Sequence, residues 1–205
     1  MISLEEIQKF LPTFLSQGSE QAFLDEVKAF LRAQSKPFYT NALAHEDLIF
    51  QGDGLESLLL IKLPDPTIKP GRGMVLSNTC DLDMSNRRLF PSSICYAPIL
   101  SYEKYIELIR SRYSAERVNE HEQKIKAQLI TQLFFLPRGG RLAGEGLVFL
   151  DRIISVSNDA VKRDDLKQSR LFTLSDFGAW LLALKLSIHF SRIRDKVDRI
   201  SGVIQ

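Results

Sequence analysis

The sequence predicts an α+β protein, a small antiparallel β-core wrapped by N-terminal helices, a helical insertion and a long C-terminal helix. Three observations predict it. Apolar residues recur at helical spacing towards both ends of the chain. Short apolar runs bounded by Gly and Pro fill the middle. A highly charged stretch interrupts those runs between residues 101 and 132. This organisation divides the chain into a helical extension, residues 1–45, and a main domain, residues 46–205, with the insertion at 101–132.

Ser3 and Glu6 stand in a capping-box relation, and Ile7, Phe10, Leu11, Phe14 and Leu15 follow at helical spacing. Pro12 ends or kinks that helix. Ser19 is placed to cap a second helix, with Ala22, Phe23, Val27, Phe30 and Leu31 on one face and Pro37 closing it. Both apolar faces must be buried, on the chain's own core or on a partner.

Residues 58–61 are a continuous apolar run bounded by Gly52, Gly54 and Pro64, which predicts a buried strand. The stretch from Pro64 to Gly73 reads as a stiff basic loop. Strands are predicted at residues 74–77 and 94–99, Pro98 fitting a strand end or an edge. The polar connection between those two strands suggests an antiparallel pair. Residues 101–132 read as one or two helices, apolar at Tyr105, Ile106, Leu108 and Ile109 and again at Ile125, Leu129, Ile130 and Leu133. Strands return at residues 133–136, 146–151 and 153–156. Ser175 is a predicted N-cap for the last helix, lined by Phe177, Trp180, Leu181, Leu184, Leu186 and Ile188 before Arg192, Arg194, Lys196 and Arg199.

Composition narrows the function classes. The chain has 205 residues and a formal net charge of +2, so bulk charge does not announce a nucleic-acid binder and only local basic clusters remain as a signal. Its 2 cysteines form no Cys-x-x-Cys pair, which argues against a disulfide scaffold and a zinc ribbon. The opening residues are acidic without a basic region, and no apolar run is long enough for a bilayer. A cytoplasmic location with no membrane span is the expectation.

Four pieces in order carry a resemblance to a known family. They are Gly52-Asp53 before an apolar strand, residues 71–77 with Arg72 leading into a strand ending Leu76-Ser77, residues 96–99 reading Tyr-Ala-Pro-Ile, and residues 147–156. Together they resemble the PemK/MazF-like family of type II toxin–antitoxin systems, across roughly residues 50–100 and 133–190. The resemblance implies an SH3-like barrel and a component of toxin–antitoxin or phage-defence type in a bacterial cytoplasm. It also implies a metal-independent endoribonuclease with no cofactor. In such an enzyme the RNA 2′-hydroxyl attacks the adjacent phosphate, so the site supplies proton transfer and a cation. Carried over, Arg72 stabilises the phosphate and Ser101 is the hydroxyl. The sequence departs from the family here: Gly73 follows Arg72 where Pro is usual, and both groups are one residue off register. The implied partners are single-stranded RNA or a cognate protein, with a possible homodimer. The alternative is a barrel that has lost its chemistry and acts as a protein–protein interaction module.

Lys69, Arg87, Arg88, Arg138 and Arg141 fall in the predicted connections between strands and are candidate phosphate contacts. Phe90, Tyr96 and Phe135 are possible platforms for bases, with core packing the competing use. Ser77, Thr79, Cys80 and Asp81 are a candidate groove rim. Asp81 disfavours a thiolate at Cys80 by like-charge repulsion, so the thiol reads as a small buried residue at a strand end, with Asp81 capping the following turn. A recognition rim remains open as the other reading, and no metal site is expected.

Overall fold

The computed structural model describes residues 37–191 apart from Leu63 and Arg87. The two helices expected before Pro37 and the basic residues expected to end the last helix, from Arg192 on, lie outside the described residues. Within them are the strands β1 (Tyr39–Thr40), β2 (Gly54–Lys62), β3 (Asp65–Val75), β4 (Ser93–Ser101), β5 (Leu133–Leu136), β6 (Gly146–Phe149), β7 (Ile154–Ser157) and β8 (Arg170–Leu174). The helices are α1 (Thr79–Leu82), α2 (Tyr102–Arg110), α3 (Ala115–Lys126), α4 (Leu166–Ser169) and α5 (Asp176–Ser191).

Every strand pairing is antiparallel, as the α+β reading requires. The hydrogen-bonded path runs β1-β8-β2-β3-β4-β6-β5, with β7 beside β6 along β4. The expected barrel is not closed, because β1 and β5 end that path and share no ladder among the described residues. Side chains bridge the ends instead. Tyr39 Oη donates to Pro137 O at 2.7 Å, and the rings of Phe38 and Phe134 lie 5.9 Å apart.

β5 is a continuous apolar run because both its faces are buried. Phe134 and Leu136 join Met74, Ala97, Val148 and the α5 residues Leu181 and Leu182. Leu133 and Phe135 face the other way, under Tyr102, Ile106, Val118 and Ile125 of α2 and α3. A third cluster holds Ile49, Leu55, Leu58, Val75, Leu82, Ile94, Tyr96 and Leu166. The alternation Met74/Val75 and Ala97/Tyr96 therefore divides two cores across one sheet.

Residues 146–157 behave as one strand path along β4, broken by a bulge at residues 150–153. β7 pairs with β4 up to Tyr96 and β6 pairs from Ile99, so Pro98 sits mid-strand, in the gap on that edge. No ladder there requires its missing N–H.

The predicted loop at residues 64–73 is a correction: β3 occupies it and forms a hairpin with β2. Pro66 and Pro70 are tolerated because β3 pairs with β4 only at residues 73–75, leaving its outer edge free of a ladder partner earlier on. Within this hairpin Glu56 and Ser57 together oppose Arg72, a bulge that puts Ser57 at φ 61°.

Gly52 has φ 88°, and a Cβ there meets Leu174 Cδ1 at 2.5 Å. Only glycine takes that turn without strain. Its N–H donates to Val75 O at 2.9 Å, which fixes the entry to β2 against the end of β3.

Candidate binding rim

β3 ends at Val75, and the chain then crosses a turn whose side chains tie three segments together. Ser77 Oγ accepts from Cys95 N at 2.7 Å, and Thr79 Oγ1 accepts from Gln51 N at 3.0 Å. Gln51 Nε2 in turn donates to Leu76 O at 2.7 Å. Ser77 and Thr79 are thus structural members of the rim.

Asn78, not Asp81, caps α1: its Oδ1 accepts from Cys80 N at 2.9 Å. Asp81 instead accepts from Arg88 at 2.7 Å. Cys80 is exposed rather than buried. Its carbonyl accepts from Asn86 Nδ2 at 2.8 Å and Arg88 at 3.1 Å, so the connection after α1 folds back onto it.

That fold creates a shallow concavity of about 130 Å³, lined among others by Asp83, Asn86, Arg88, Phe90, Asn158 and Asp159. Its floor is rigid. Asn158 is buried, donating to Leu82 O at 3.1 Å and Ser92 Oγ at 3.0 Å and accepting from Arg163 at 2.6 Å. Asp83 accepts from Ser85 N and Oγ, which hold its carboxyl below the usual range. Phe90, at the mouth, is 81% exposed, and Leu89 beside it is 99% exposed. Of the three aromatic residues singled out as platforms, Tyr96 and Phe135 belong to the core.

The other site residues are dispersed. Arg72 is exposed on β3 and pairs with Glu56 at 3.8 Å across the bulge. Ser101 is the N-cap of α2, its Oγ accepting from Lys104 N at 3.2 Å. Lys69 is exposed on the hairpin opposite Leu60. Arg141 donates to Gln168 O and to Arg170 O, and Arg138 is exposed. Arg87 lies outside the described residues. Among the described residues, Arg88 alone of these cations lines the concavity.

Two polar clusters carry no local signal in the sequence. Asp53, Arg170 and Thr173 form a buried knot that holds residues 43–48. Tyr105 and His121 join α2 to α3 at 2.8 Å. Both unite residues far apart in the chain.

No group of three or more His, Cys, Asp or Glu side chains that would hold a metal ion occurs among the described residues. No helix among them is long and apolar enough to cross a membrane. No family model matches the chain, and no curated protein matches it.

Proposed function

We propose that this chain is a divergent PemK/MazF-like module, of toxin–antitoxin or phage-defence type, that binds single-stranded RNA at the 83–92 rim without cleaving it through Arg72 and Ser101. One observation carries the reading: Phe90 stands 81% exposed beside Arg88, at the mouth of a polar concavity. A base stacked on such a ring contributes roughly 1–3 kcal/mol. The Asn86 amide and the Asp159 carboxylate offer donors and acceptors to its edge. The Arg88–Asp81 pair is solvent-exposed and therefore weak, so the guanidinium is free to exchange it for a phosphate. Ser101 is committed to its helix cap, and neither it nor Arg72 on β3 lines the concavity, so no cleavage through them is proposed.

Fluorescence anisotropy of labelled oligo-U, oligo-A and oligo-C tests this, beside a cleavage gel run with EDTA. Saturable binding weakened about tenfold by Phe90→Ala is expected, with intact RNA on the gel. Binding that ignores Phe90→Ala and Arg88→Ala sinks the rim assignment, and discrete cuts lost in Arg72→Ala restore the nuclease.

The hairpin favours a second reading, a protein interaction module. Leu59, Ile61, Ile68 and Pro70 share one exposed face through the pairs Leu59↔Pro70 and Ile61↔Ile68. Among the described residues β2 pairs with β8 only at Gly54 and Leu55, leaving its outer edge open for an extended segment of a partner protein. Retained partner binding with no RNA binding in the same preparation selects this reading.

A further inference from the structure

α5 lacks the charged outer face of an ordinary surface helix. Asp176 and Lys185 are its only Asp, Glu, Lys or Arg residues, and Lys185 is buried. Gly178, Leu181, Leu182 and Lys185 are its buried residues and mark its core side. Beside them Phe177, Trp180, Leu184 and Ile188 recur at helical spacing as a second, half-buried stripe. Phe177 and Trp180 pack partly against the main core, whereas Leu184 and Ile188 join no core cluster among the described residues. Phe190, near the far end, is 61% exposed. An apolar stripe on a helix that already has its core side calls for a second layer.

The chain before the described residues meets the fold at this helix. Ser175 Oγ donates to Pro37 O at 2.5 Å, and Ser175 N donates to Phe38 O at 3.0 Å. The 36 residues that precede Pro37 therefore join the structure at the first turn of α5. The helix expected from Ser19 has its last apolar residue at Leu31, so residues 32–36 form the connection. Helix–helix connections of about 2–8 residues join antiparallel neighbours.

We propose that residues 19–31 pack along α5 as an antiparallel helix, with Phe30 against Phe177, Val27 against Trp180 and Phe23 against Leu184. The spacings carry the register. Residues 23, 27 and 30 step by four and then three, whereas residues 177, 180 and 184 step by three and then four. Run in opposite directions, the two sets meet in every layer, as in an antiparallel helical seam. Both span about 10.5 Å along their axes. The same register brings charges of opposite sign together at both ends. Arg32 falls beside Asp176, the exposed acid of α5, and Glu20 falls near the end of α5, where Arg192 and Arg194 follow. An acid at the start of one helix and bases at the end of its neighbour suit both dipoles.

Cross-linking in the full chain tests this, with Cys80 and Cys95 first changed to serine. Phe23→Cys with Leu184→Cys is oxidised with copper phenanthroline and resolved by non-reducing gel and mass spectrometry. Asp25→Cys with Leu184→Cys is the comparison, because Asp25 lies on the opposite face of the expected helix. An intramolecular disulfide is expected in the first pair at about fivefold the yield of the second, since bridged Cβ atoms lie about 4 Å apart. Equal yields, or no link in either pair, overturn the proposal. A link only between two chains also overturns it and assigns the stripe to a second copy. Trp180 is the chain's single tryptophan and gives an independent readout. Val27→Asp is expected to shift its emission to longer wavelength and to increase its quenching by acrylamide, while Asp25→Asn leaves both unchanged. An unaltered Trp180 in Val27→Asp overturns the register. Neither readout involves Phe90 or Arg88, so this packing and the rim fail independently.

Discussion

Arg170 Nε donates to Asp53 Oδ2 at 3.1 Å, in an ion pair whose side chains are 4% and 0% exposed. The carboxylate also accepts from Phe50 N at 3.0 Å and Thr173 Oγ1 at 2.7 Å. The guanidinium reaches outward as well, donating to Leu43 O and Glu46 O at 3.0 Å and to Leu48 O. One buried pair therefore joins β8, the entry to β2 and the segment leading from β1. Burial pushes the Asp53 carboxyl up, and the Phe50 N–H, the Arg170 charge and Thr173 pull it back.

Removing one member leaves the other charge buried without its counter-ion. Asp53→Asn keeps the shape and deletes the charge, so it is expected to cost about 3–5 kcal/mol in urea denaturation. Asp53→Leu combined with Arg170→Met is expected to cost less than the two single changes added together. A loss under about 1 kcal/mol for Asp53→Asn contradicts the knot's structural role.

Ser101 is a helix cap on geometry, and the cap makes its own prediction. Ser101→Ala is expected to cost about 1 kcal/mol, a drop of roughly 2–4 °C in Tm. Ser101→Asp restores stability, because aspartate caps as well as serine. RNA anisotropy is unchanged in both variants. If Ser101→Asp melts normally yet abolishes an RNA-directed activity, the hydroxyl has a chemical role beyond the cap.

Elements whose burial shows in local pattern were legible in the sequence. Residues 133–136 read as a strand because both faces of β5 are buried, and Ser175 read as a cap because its Oγ accepts from Gly178 N at 3.2 Å. The antiparallel pairing of β3 with β4 followed from the polar connection between them. The 64–73 segment misled because its prolines mark loops in general, while an outer edge free of a ladder partner tolerates them. Closure of the sheet was not readable, since it depends on whether β1 and β5 pair across most of the chain. The site was legible only in part. Phe90 and Arg88 were marked by type, but their convergence with Asn158 and Asp159 arises where the connection after α1 meets the end of β7. Asp53 and Arg170 lie 117 residues apart, and no local spacing announces such a pair.

Lys185 supplies a pH-dependent test of the packing between α5 and the segment after α3. It is 2% exposed, and its Nζ donates to Gln128 O at 2.8 Å, Gln128 Oε1 at 3.1 Å and Ile130 O at 2.9 Å. Gln128 is itself fixed, at φ 62°, by donating to Phe135 O and accepting from Phe135 N along β5. Burial lowers the Lys185 pKa from 10.5 to about 7. Between those two values the unfolded chain holds a proton that the folded chain has released, so stability rises with pH across that window. The slope approaches about 1.4 kcal/mol per pH unit at most. Below the folded value both states are protonated and the contribution is flat. Urea denaturation of the wild type and Lys185→Met, compared from mildly acidic to mildly alkaline pH, checks the sign. The wild type is expected to gain on the variant only once pH passes neutrality, and to exceed it by about 1–3 kcal/mol on the alkaline side, where the variant's carbonyls have lost their donor. A constant difference across the whole range means that the ammonium keeps its proton in the fold, with the three acceptors outweighing desolvation.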